Sequence, residues 1–366
     1  MTLPERPKPI FVTQPHLPPL EEFIPYLQQI WDSRALTNKG PFHRQLEQAL
    51  CDYLGVEHLA LFANGTLALV TALQALRITG EVITTPYSYV ASTTAILWEH
   101  CTPVHVDIDP VTFCIDPARI EAAITPRTQA ILATHVYGLP CDVDAIATIA
   151  RRHGLKVIYD GAHAFGTTHQ GRPLLSYGDI STCSFHATKI YHTVEGGSIA
   201  CHDEETYRKL RLLRAFGHIK DDHFLVGING KNSELHAAMG VLMLRHMPSI
   251  LERRKAQWWR YAEALQGCDV QLARVPGDTD YNHAYFPAIM PSEAALHALL
   301  EDLAKNDIHP RRYFYPSLTE LPYLSARGTC PIAEDLARRA LCLPLFHQLD
   351  DALIDRIALF VRSHLK

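Results

Sequence analysis

The sequence lacks the patterns that mark membrane, secreted or nucleic-acid-binding proteins. No stretch approaches the apolar length needed to cross a bilayer, and the N-terminus has no apolar core of a secretion signal. The formal net charge is −5 without an extended basic run, which disfavours nucleic acid or an anionic membrane as a partner. We therefore expect a cytoplasmic protein that binds neither.

Paired cysteines are also missing. The nine cysteines are scattered, odd in number and never spaced as a CxxC pair. This distribution favours free thiols in a reducing compartment over a disulfide framework or a zinc site. The 21 histidines show no spacing that one helix face would use for chelation, so we expect no metal.

Two kinds of pattern divide the chain. Between about Val56 and Glu204, short apolar runs alternate with helical patterns, which predicts an α/β fold with a mainly parallel sheet covered by helices on both faces. After Glu234 a long helical pattern is interrupted at Pro248, and a mixture of strands and helices follows. We expect a large domain with an N-terminal segment at 1–245 and a smaller α+β domain at 246–366.

Two polar residues stand just beyond apolar strand candidates. Asp160 ends "KVIYD", and Lys189 follows "ISTCSF". Ligands of parallel sheets bind at the C-terminal ends of strands, where an aspartate and a lysine are the pair that pyridoxal phosphate requires. The lysine forms a Schiff base and the carboxylate keeps the pyridine nitrogen protonated. Taken alone, Asp160 is more typical of a residue that caps the turn after a strand, and the lysine 29 residues later changes this balance.

The cofactor's phosphate and ring need binding groups of their own. In "FANGTLAL" a strand leads into a helix, whose first amides bind anions together with the Thr66 hydroxyl, although ordinary strand–turn–helix units look the same. Ser184, shortly before the lysine, offers a second hydroxyl. Either Tyr87 or Tyr89 stacks on the ring, or both pack the start of the next helix.

An ordered set of motifs resembles the DegT/StrS-type sugar aminotransferases over nearly the whole chain. The motifs are "LTNKGP", "NGT", "VITTPYSYVAST", "PVHVDID", "AILATHVYG", "IYDGAHAFG", "SFHATK…EGG", "GINGKNSELHAAMG" and "RRYFYPSL". The resemblance implies the aspartate-aminotransferase fold (fold type I), with a mainly parallel seven-stranded sheet in the large domain. It also implies a homodimer whose active sites lie at the subunit interface.

The resemblance assigns the cofactor's main contacts. Lys189 is implied to be the catalytic Schiff-base lysine, and Asp160 the partner of the pyridine nitrogen. The residues implied to hold the phosphate are Gly65, Thr66 and Ser184. Relatives that dehydrate their substrate have histidine in place of the lysine, so Lys189 argues against that branch.

Three further contacts are implied. Asn229 reaches the phosphate from the neighbouring subunit. Tyr89 stands where the family usually has a stacking tryptophan or phenylalanine and keeps the aromatic face. His163 lies near the cofactor's phenolic oxygen, at a position that is more often glutamine.

The family transfers an amino group, usually from L-glutamate, to the ketone of a nucleotide-linked sugar. His186 forms an "SFH..K" pattern that resembles the C4-aminating members, whereas C3-aminating members more often have "SFYP.K". Tyr313, with Arg311 and Arg312, is implied to approach the nucleotide sugar. The implied reaction converts a dTDP-4-keto-6-deoxy sugar to dTDP-4-amino-4,6-dideoxyglucose, for a surface polysaccharide or a glycosylated metabolite.

Alternatives stay open at this point. His186 is compatible with a packing role without regiochemical meaning, and the two arginines with a solvated strand edge. Within the same class, the substrate is alternatively a 3-keto sugar or a UDP- or GDP-linked sugar. A different class is a regulatory protein that binds pyridoxal phosphate without turnover, whose signature would be loss of the lysine or of the C-terminal domain.

Overall fold

The computed structural model describes residues 9–324 and 328–365. Its strands, in chain order, are β1 (Ile10–Phe11), β2 (His58–Phe62), β3 (Glu81–Thr84), β4 (Thr102–His105), β5 (Thr128–Thr134), β6 (Lys156–Asp160), β7 (Thr168–His169), β8 (Arg172–Pro173), β9 (Ile180–Ser184), β10 (Gly197–Cys201), β11 (His218–Ile219), β12 (Asp222–His223), β13 (Thr279–Asp280), β14 (Phe286–Ile289), β15 (Ile308–His309) and β16 (Ala340–Leu343).

The α-helices alternate with the strands through most of the chain. They are α1 (Leu20–Ser33), α2 (Pro41–Leu54), α3 (Gly65–Ala75), α4 (Val90–Trp98), α5 (Pro117–Ile120), α6 (Val143–His153), α7 (Glu204–Leu213), α8 (Glu234–Ala264), α9 (Glu293–Lys305), α10 (Pro331–Arg339) and α11 (Asp351–Ser363). Within the described residues, none of these helices has the length and hydropathy to cross a bilayer.

Seven strands form one sheet in the order β2-β10-β9-β6-β5-β3-β4. β10 is antiparallel to both of its neighbours, and the other neighbouring pairs are parallel, which confirms the expected mainly parallel sheet. Successive residues of a strand face opposite sides, so Val82 and Leu132 join one apolar core and Ile83 and Ile131 the other. Burial on both faces explains why the strands read as continuous apolar runs.

The C-terminal part of the chain has its own apolar core. β14 pairs with β16, and Trp258, Leu299 and Ile354 from three helices lie in this core. The N-terminal strand joins this region because β1 pairs with β15. The domain boundary proposed at 245/246 falls inside α8, and it stays a prediction.

The interruption expected at Pro248 is wrong, because α8 is one helix that contains this proline. A proline inside a helix removes one backbone hydrogen bond and crowds the preceding turn, at a cost of about 3 kcal/mol. α8 packs against α1, α2 and α11, and it buries side chains on both sides of Pro248. This tertiary packing outweighs the local preference that the sequence pattern expresses.

All nine cysteines are free thiols. In the described part of the chain, no group of three or more His, Cys, Asp or Glu side chains is arranged to hold a metal ion.

Glu234 connects the start of α8 to the start of α2. Its Oε2 accepts a hydrogen bond from the Phe42 amide at 2.7 Å, and its Oε1 accepts one from the His43 amide at 2.9 Å. First-turn amides have no partner within their own helix and favour a negative charge. The carboxylate comes so close that a Cβ on Gly40 would lie 2.4 Å from Glu234 Cδ, so any larger residue at 40 would displace this carboxylate.

We expect Glu234→Ala to lower the free energy of unfolding by about 1–3 kcal/mol, because it leaves two buried amides unpaired. Denaturant titration of the purified variant measures the loss. Glu252→Ala, an exposed glutamate on the same helix, is the matched control and is expected to change little. Equal stability of the two variants would contradict this role of Glu234.

Candidate active site

The C-terminal ends of the parallel strands surround a cavity of about 310 Å³. Nine of the ten site residues that the sequence predicts line it: Gly65, Thr66, Tyr89, Asp160, His163, Ser184, His186, Lys189 and Tyr313. Asn229 is the exception, because it is exposed and does not line the cavity of its own chain. Residues that are far apart in sequence therefore meet because each follows the end of a strand or lies in a neighbouring loop.

Lys189 lies in the turn after β9, where its amide donates to the His186 carbonyl at 2.9 Å. Burial lowers the pKa of Lys189 below its usual value of 10.5, while the Tyr313 phenol and then the Asp160 carboxylate act in the opposite direction. A lowered pKa increases the share of uncharged amine, which is the form that attacks a carbonyl carbon.

Asp160 is the last residue of β6 and is only 4% exposed. Its Oδ2 accepts a hydrogen bond from the Ser92 hydroxyl at 2.7 Å, and its Oδ1 accepts one from the Ala162 amide at 3.1 Å. Both oxygens thus have a donor, and the side chain still lines the cavity. A carboxylate held in this way is suited to a cationic ring nitrogen.

His163 is buried, and its ring lies parallel to that of Phe314 at a centroid distance of 5.6 Å. Burial, and secondarily the charge of Lys189, lower the pKa of His163 well below its usual value of 6.5. The imidazole is therefore neutral at pH 7. Its Nδ1 has no hydrogen-bond partner within the described part of the chain, although buried polar atoms usually have one.

The N-terminus of α3 provides an anion cradle. The Asn64 side chain caps this helix by accepting from the Leu67 amide at 2.9 Å. The amides of Gly65 and Thr66 come first in the helix and have no intrahelical acceptor, so they can bind an anion. Gly65 packs tightly on β9, since a Cβ there would lie 2.9 Å from Ser184 Cβ. This contact brings the Ser184 hydroxyl beside the helix N-terminus.

The structure separates the two candidate stacking tyrosines. Tyr87 is fully buried, and its hydroxyl lies 2.7 Å from that of Tyr137. Tyr89 is 51% exposed, precedes α4 and lines the cavity. Only Tyr89 is thus placed to present an aromatic face to a bound ring.

Gly161 has a role that differs from the one suggested by its small size. The sequence suggests that Gly161 and Ala162 let a flat ligand approach the backbone. Instead, a Cβ on Gly161 would lie 2.3 Å from Leu175 Cδ2, so the glycine is needed for packing inside the protein. Ala162 lines the cavity as expected.

Further polar groups also line the cavity. His186 Nδ1 lies 2.8 Å from the Thr188 hydroxyl, and its Nε2 lies 3.5 Å from Glu195 Oε1. The Arg311 guanidinium stands 4.7 Å from the centre of the Tyr313 ring. These side chains bring both charge signs and several hydrogen-bonding groups to the cavity.

Arg312, unlike Arg311, does not line the cavity. It donates to Glu293 at 2.8 Å and stacks on Tyr315. Of the two arginines that the sequence suggests, only Arg311 lines the cavity.

Several residues of the site are not apparent from sequence reasoning. Ser92 contacts Asp160, and Glu195 and Phe314 line the cavity. The available signal for Ser92 is its position three residues after Tyr89, at the start of a helical pattern, which brings the two residues close together. A serine in an apolar helix indicates nothing until the carboxylate beside it is known.

The residues present fit pyridoxal phosphate. The cavity offers a buried carboxylate for the ring nitrogen and a lysine of lowered pKa for the aldehyde. It also offers an unpaired imidazole nitrogen for the phenolic oxygen and helix amides for the phosphate. The chemistry of this donor set matches each polar group of the cofactor.

Comparison with known proteins agrees with this geometry. Residues 20–362 match the DegT/DnrJ/EryC1/StrS aminotransferase family. The chain is 46% identical over 363 residues to dTDP-4-amino-4,6-dideoxy-D-glucose transaminase of Shigella dysenteriae, covering 97% of this chain and 99% of the relative.

Two solved structures have nearly the same fold. The crystal structure of DesI in the presence of its TDP-sugar product has a TM-score of 0.93 at 34% identity, covering 98% of this chain and 93% of DesI. The PLP form of the Streptococcus pneumoniae protein Spr1654 has a TM-score of 0.91 at 26% identity, covering 97% of this chain and 98% of that one. The fold type I architecture expected from the sequence is confirmed.

We expect the purified protein to be yellow, and borohydride reduction to fix the cofactor covalently to Lys189 Nζ. The reason is that this amine has a lowered pKa and shares the cavity with Asp160. Peptide mass spectrometry locates the adduct. Lys189→Ala should carry none, and Lys156→Ala, which removes an exposed lysine, should be labelled like the wild type. An adduct on any other lysine would refute the assignment.

Proposed function

This chain belongs to the DegT/DnrJ/EryC1/StrS aminotransferase family, and we propose that it transfers an amino group from L-glutamate to C4 of a dTDP-4-keto-6-deoxy sugar. The product is dTDP-4-amino-4,6-dideoxyglucose and the cofactor is pyridoxal phosphate. The observation that carries the proposal is a cavity in which Lys189, Asp160 and the α3 amides offer the groups that this cofactor needs. The 46% identity to the Shigella enzyme supports the choice of sugar.

Lys189 performs the proton transfers of this reaction. Bound pyridoxal phosphate supplies an aldehyde that exchanges amino groups and a ring that accepts the electron pair of the broken C–H bond. Lys189 Nζ, as an uncharged amine, takes the proton from the amino-bearing carbon of glutamate and delivers a proton to C4 of the sugar. Its lowered pKa increases the share of this uncharged base.

Other residues orient the reacting groups. Asp160 would hold the ring nitrogen of the bound cofactor, neutral His163 would hold its phenolic oxygen, and Tyr89 would offer an aromatic face to its ring. Arg311 supplies a positive charge, which suits the carboxylates of glutamate and the diphosphate of the sugar nucleotide. His186 and Tyr313 line the cavity and are proposed to contact the sugar.

The substrate assignment is tested with a panel of nucleotide sugars. We expect glutamate-dependent 2-oxoglutarate release with dTDP-4-keto-6-deoxyglucose to exceed that with 3-keto, UDP- or GDP-linked sugars. NMR of the product identifies the aminated carbon, and Lys189→Ala is the inactive control. Preferential amination at C3 would contradict the proposal, and absence of turnover with every sugar would favour the regulatory alternative.

We include a homodimer with shared sites in the proposal. Asn229 is exposed and lies outside the cavity of its own chain. Large apolar side chains in the same segment are also exposed, among them Phe216, Phe224 and Val226, the last at 88%. Exposed apolar side chains of this size indicate a surface that a second copy covers. Asn229 would then reach the phosphate in the partner's site.

Mixing two inactive chains tests this assembly. Lys189→Ala removes the base, and Asn229→Asp places a negative charge beside a dianionic phosphate. A mixed dimer has one intact site, so full exchange of subunits should restore roughly a quarter of the wild-type activity. Differently tagged chains verify the exchange, and each variant alone is the control. A mixture that exchanges and stays inactive would show that Asn229 does not serve the partner's site.

A further inference from the structure

Four buried side chains form a continuous hydrogen-bonded chain that ends at the catalytic carboxylate. The Thr134 hydroxyl lies 3.0 Å from that of Ser88, which lies 2.8 Å from that of Ser92. The Ser92 hydroxyl lies 2.7 Å from Asp160 Oδ2. None of the four residues is more than 4% exposed, so water has little access to these groups.

The sheet brings these residues together. Thr134 and Asp160 end β5 and β6 and are direct partners in the parallel ladder. Ser88 follows β3, and Ser92 lies in the first turn of α4. The chain of hydroxyls thus runs along the strand ends, behind the cavity and not inside it.

The number of protons determines the direction of these bonds. Each hydroxyl has one proton, and an ionised carboxylate only accepts. Ser92 must therefore donate to Asp160, so the bond between Ser88 and Ser92 requires Ser88 to donate. Thr134 must then donate to Ser88. All three O–H dipoles point towards Asp160, and bonds in such a chain polarise one another.

The opposite direction requires a proton on Asp160 Oδ2 and is less favourable. The carboxyl would donate to Ser92, and Thr134 would become the final acceptor. The Thr134 hydroxyl bonds only to Ser88 within the described residues, so its own proton would be left without an acceptor. A buried unpaired donor is costly, and the chain therefore favours the direction in which Ser92 donates to Asp160 Oδ2.

The titratable groups that face Asp160 do not supply the hydrogen-bond donor that the hydroxyl chain supplies at Oδ2. The Cys183 thiol has a pKa raised to about 12 by burial and is neutral. Lys189 has a lowered pKa and is the amine that the reaction uses. The Ala162 amide donates to Oδ1, and the hydroxyl chain supplies the donor at Oδ2.

We propose that Ser92 is a positioning residue which, supported by Ser88 and Thr134, holds the Asp160 carboxylate directed at the ring nitrogen of the cofactor. The inference rests on the cofactor of the proposed function and is independent of which sugar is aminated. The hydroxyl chain acts through Asp160 and has no contact of its own with the ring.

The test compares pyridoxal phosphate with its 1-deaza analogue, in which CH replaces the ring nitrogen. Cofactor-free protein is titrated with each, and the ratio of the two Kd values reports the contact at the nitrogen alone. The wild type should prefer pyridoxal phosphate. Ser92→Ala should reduce this preference about tenfold, because a hydrogen bond to a charged group is lost. Ser88→Ala, one bond further away, should reduce it about twofold.

The controls separate this effect from a general loss of structure. Ser181→Ala removes another buried serine hydroxyl, which donates to the Tyr177 carbonyl at 2.8 Å, and should keep the wild-type ratio. Ser92→Thr keeps the donor and should restore most of the preference. The Tm of each cofactor-free variant shows whether it is folded, and Ser88→Ala carries the test if Ser92→Ala is unfolded.

Each outcome has a defined meaning. An unchanged ratio in folded Ser92→Ala and Ser88→Ala, or an equal loss in Ser181→Ala, would overturn the proposal for Ser92. If Asp160→Asn also kept the wild-type preference, the role of Asp160 in the proposed function would fail as well. Loss of preference in Asp160→Asn with an unchanged ratio in Ser92→Ala would overturn the hydroxyl chain alone.

Discussion

The structure of the site depends on one constraint, which is a carboxylate kept at 4% exposure at the end of a central strand. Burying a charge without compensating donors is strongly unfavourable. The fold compensates Asp160 with one amide and with a hydroxyl at the end of a hydrogen-bonded chain. The central position of β6 makes this possible, because β5 is its neighbour and β3 is the next strand beyond, so the residues that follow these strands meet at the end of β6.

The same low-dielectric surroundings shift the pKa values of other titratable groups that line the cavity. Burial lowers the pKa of both Lys189 and His163, so an uncharged amine and a neutral imidazole are favoured near the carboxylate. Burial also raises the pKa of the Cys183 thiol, which stays protonated. The phosphate cradle needs no buried side-chain charge, because helix amides supply it. The cavity therefore separates acid, base and anion-binding functions by environment.

Much of the fold and of the site is predictable from local patterns. Continuous apolar runs indicate strands buried on both faces, and Asp160 and Lys189 are recognisable because each follows such a run. The prediction at Pro248 failed because the packing of α8 against three other helices outweighs the local effect of a proline. The need for glycine at 161 was not predictable for a similar reason, since Leu175, whose side chain a Cβ at 161 would meet, is not adjacent in sequence.

The sequence by itself determined the order of strands and helices, the residues at strand ends and the family of the chain, since these follow from periodicity and from motifs of contiguous residues. Only the tertiary structure decided which side chains line the cavity and which ones contact the site residues. It selected Tyr89 over Tyr87 and Arg311 over Arg312 for the cavity. It also joined Ser92 to Asp160 across 68 positions. Such pairings depend on how strands are ordered in the sheet and on which side chains its packing buries, and no local pattern encodes either.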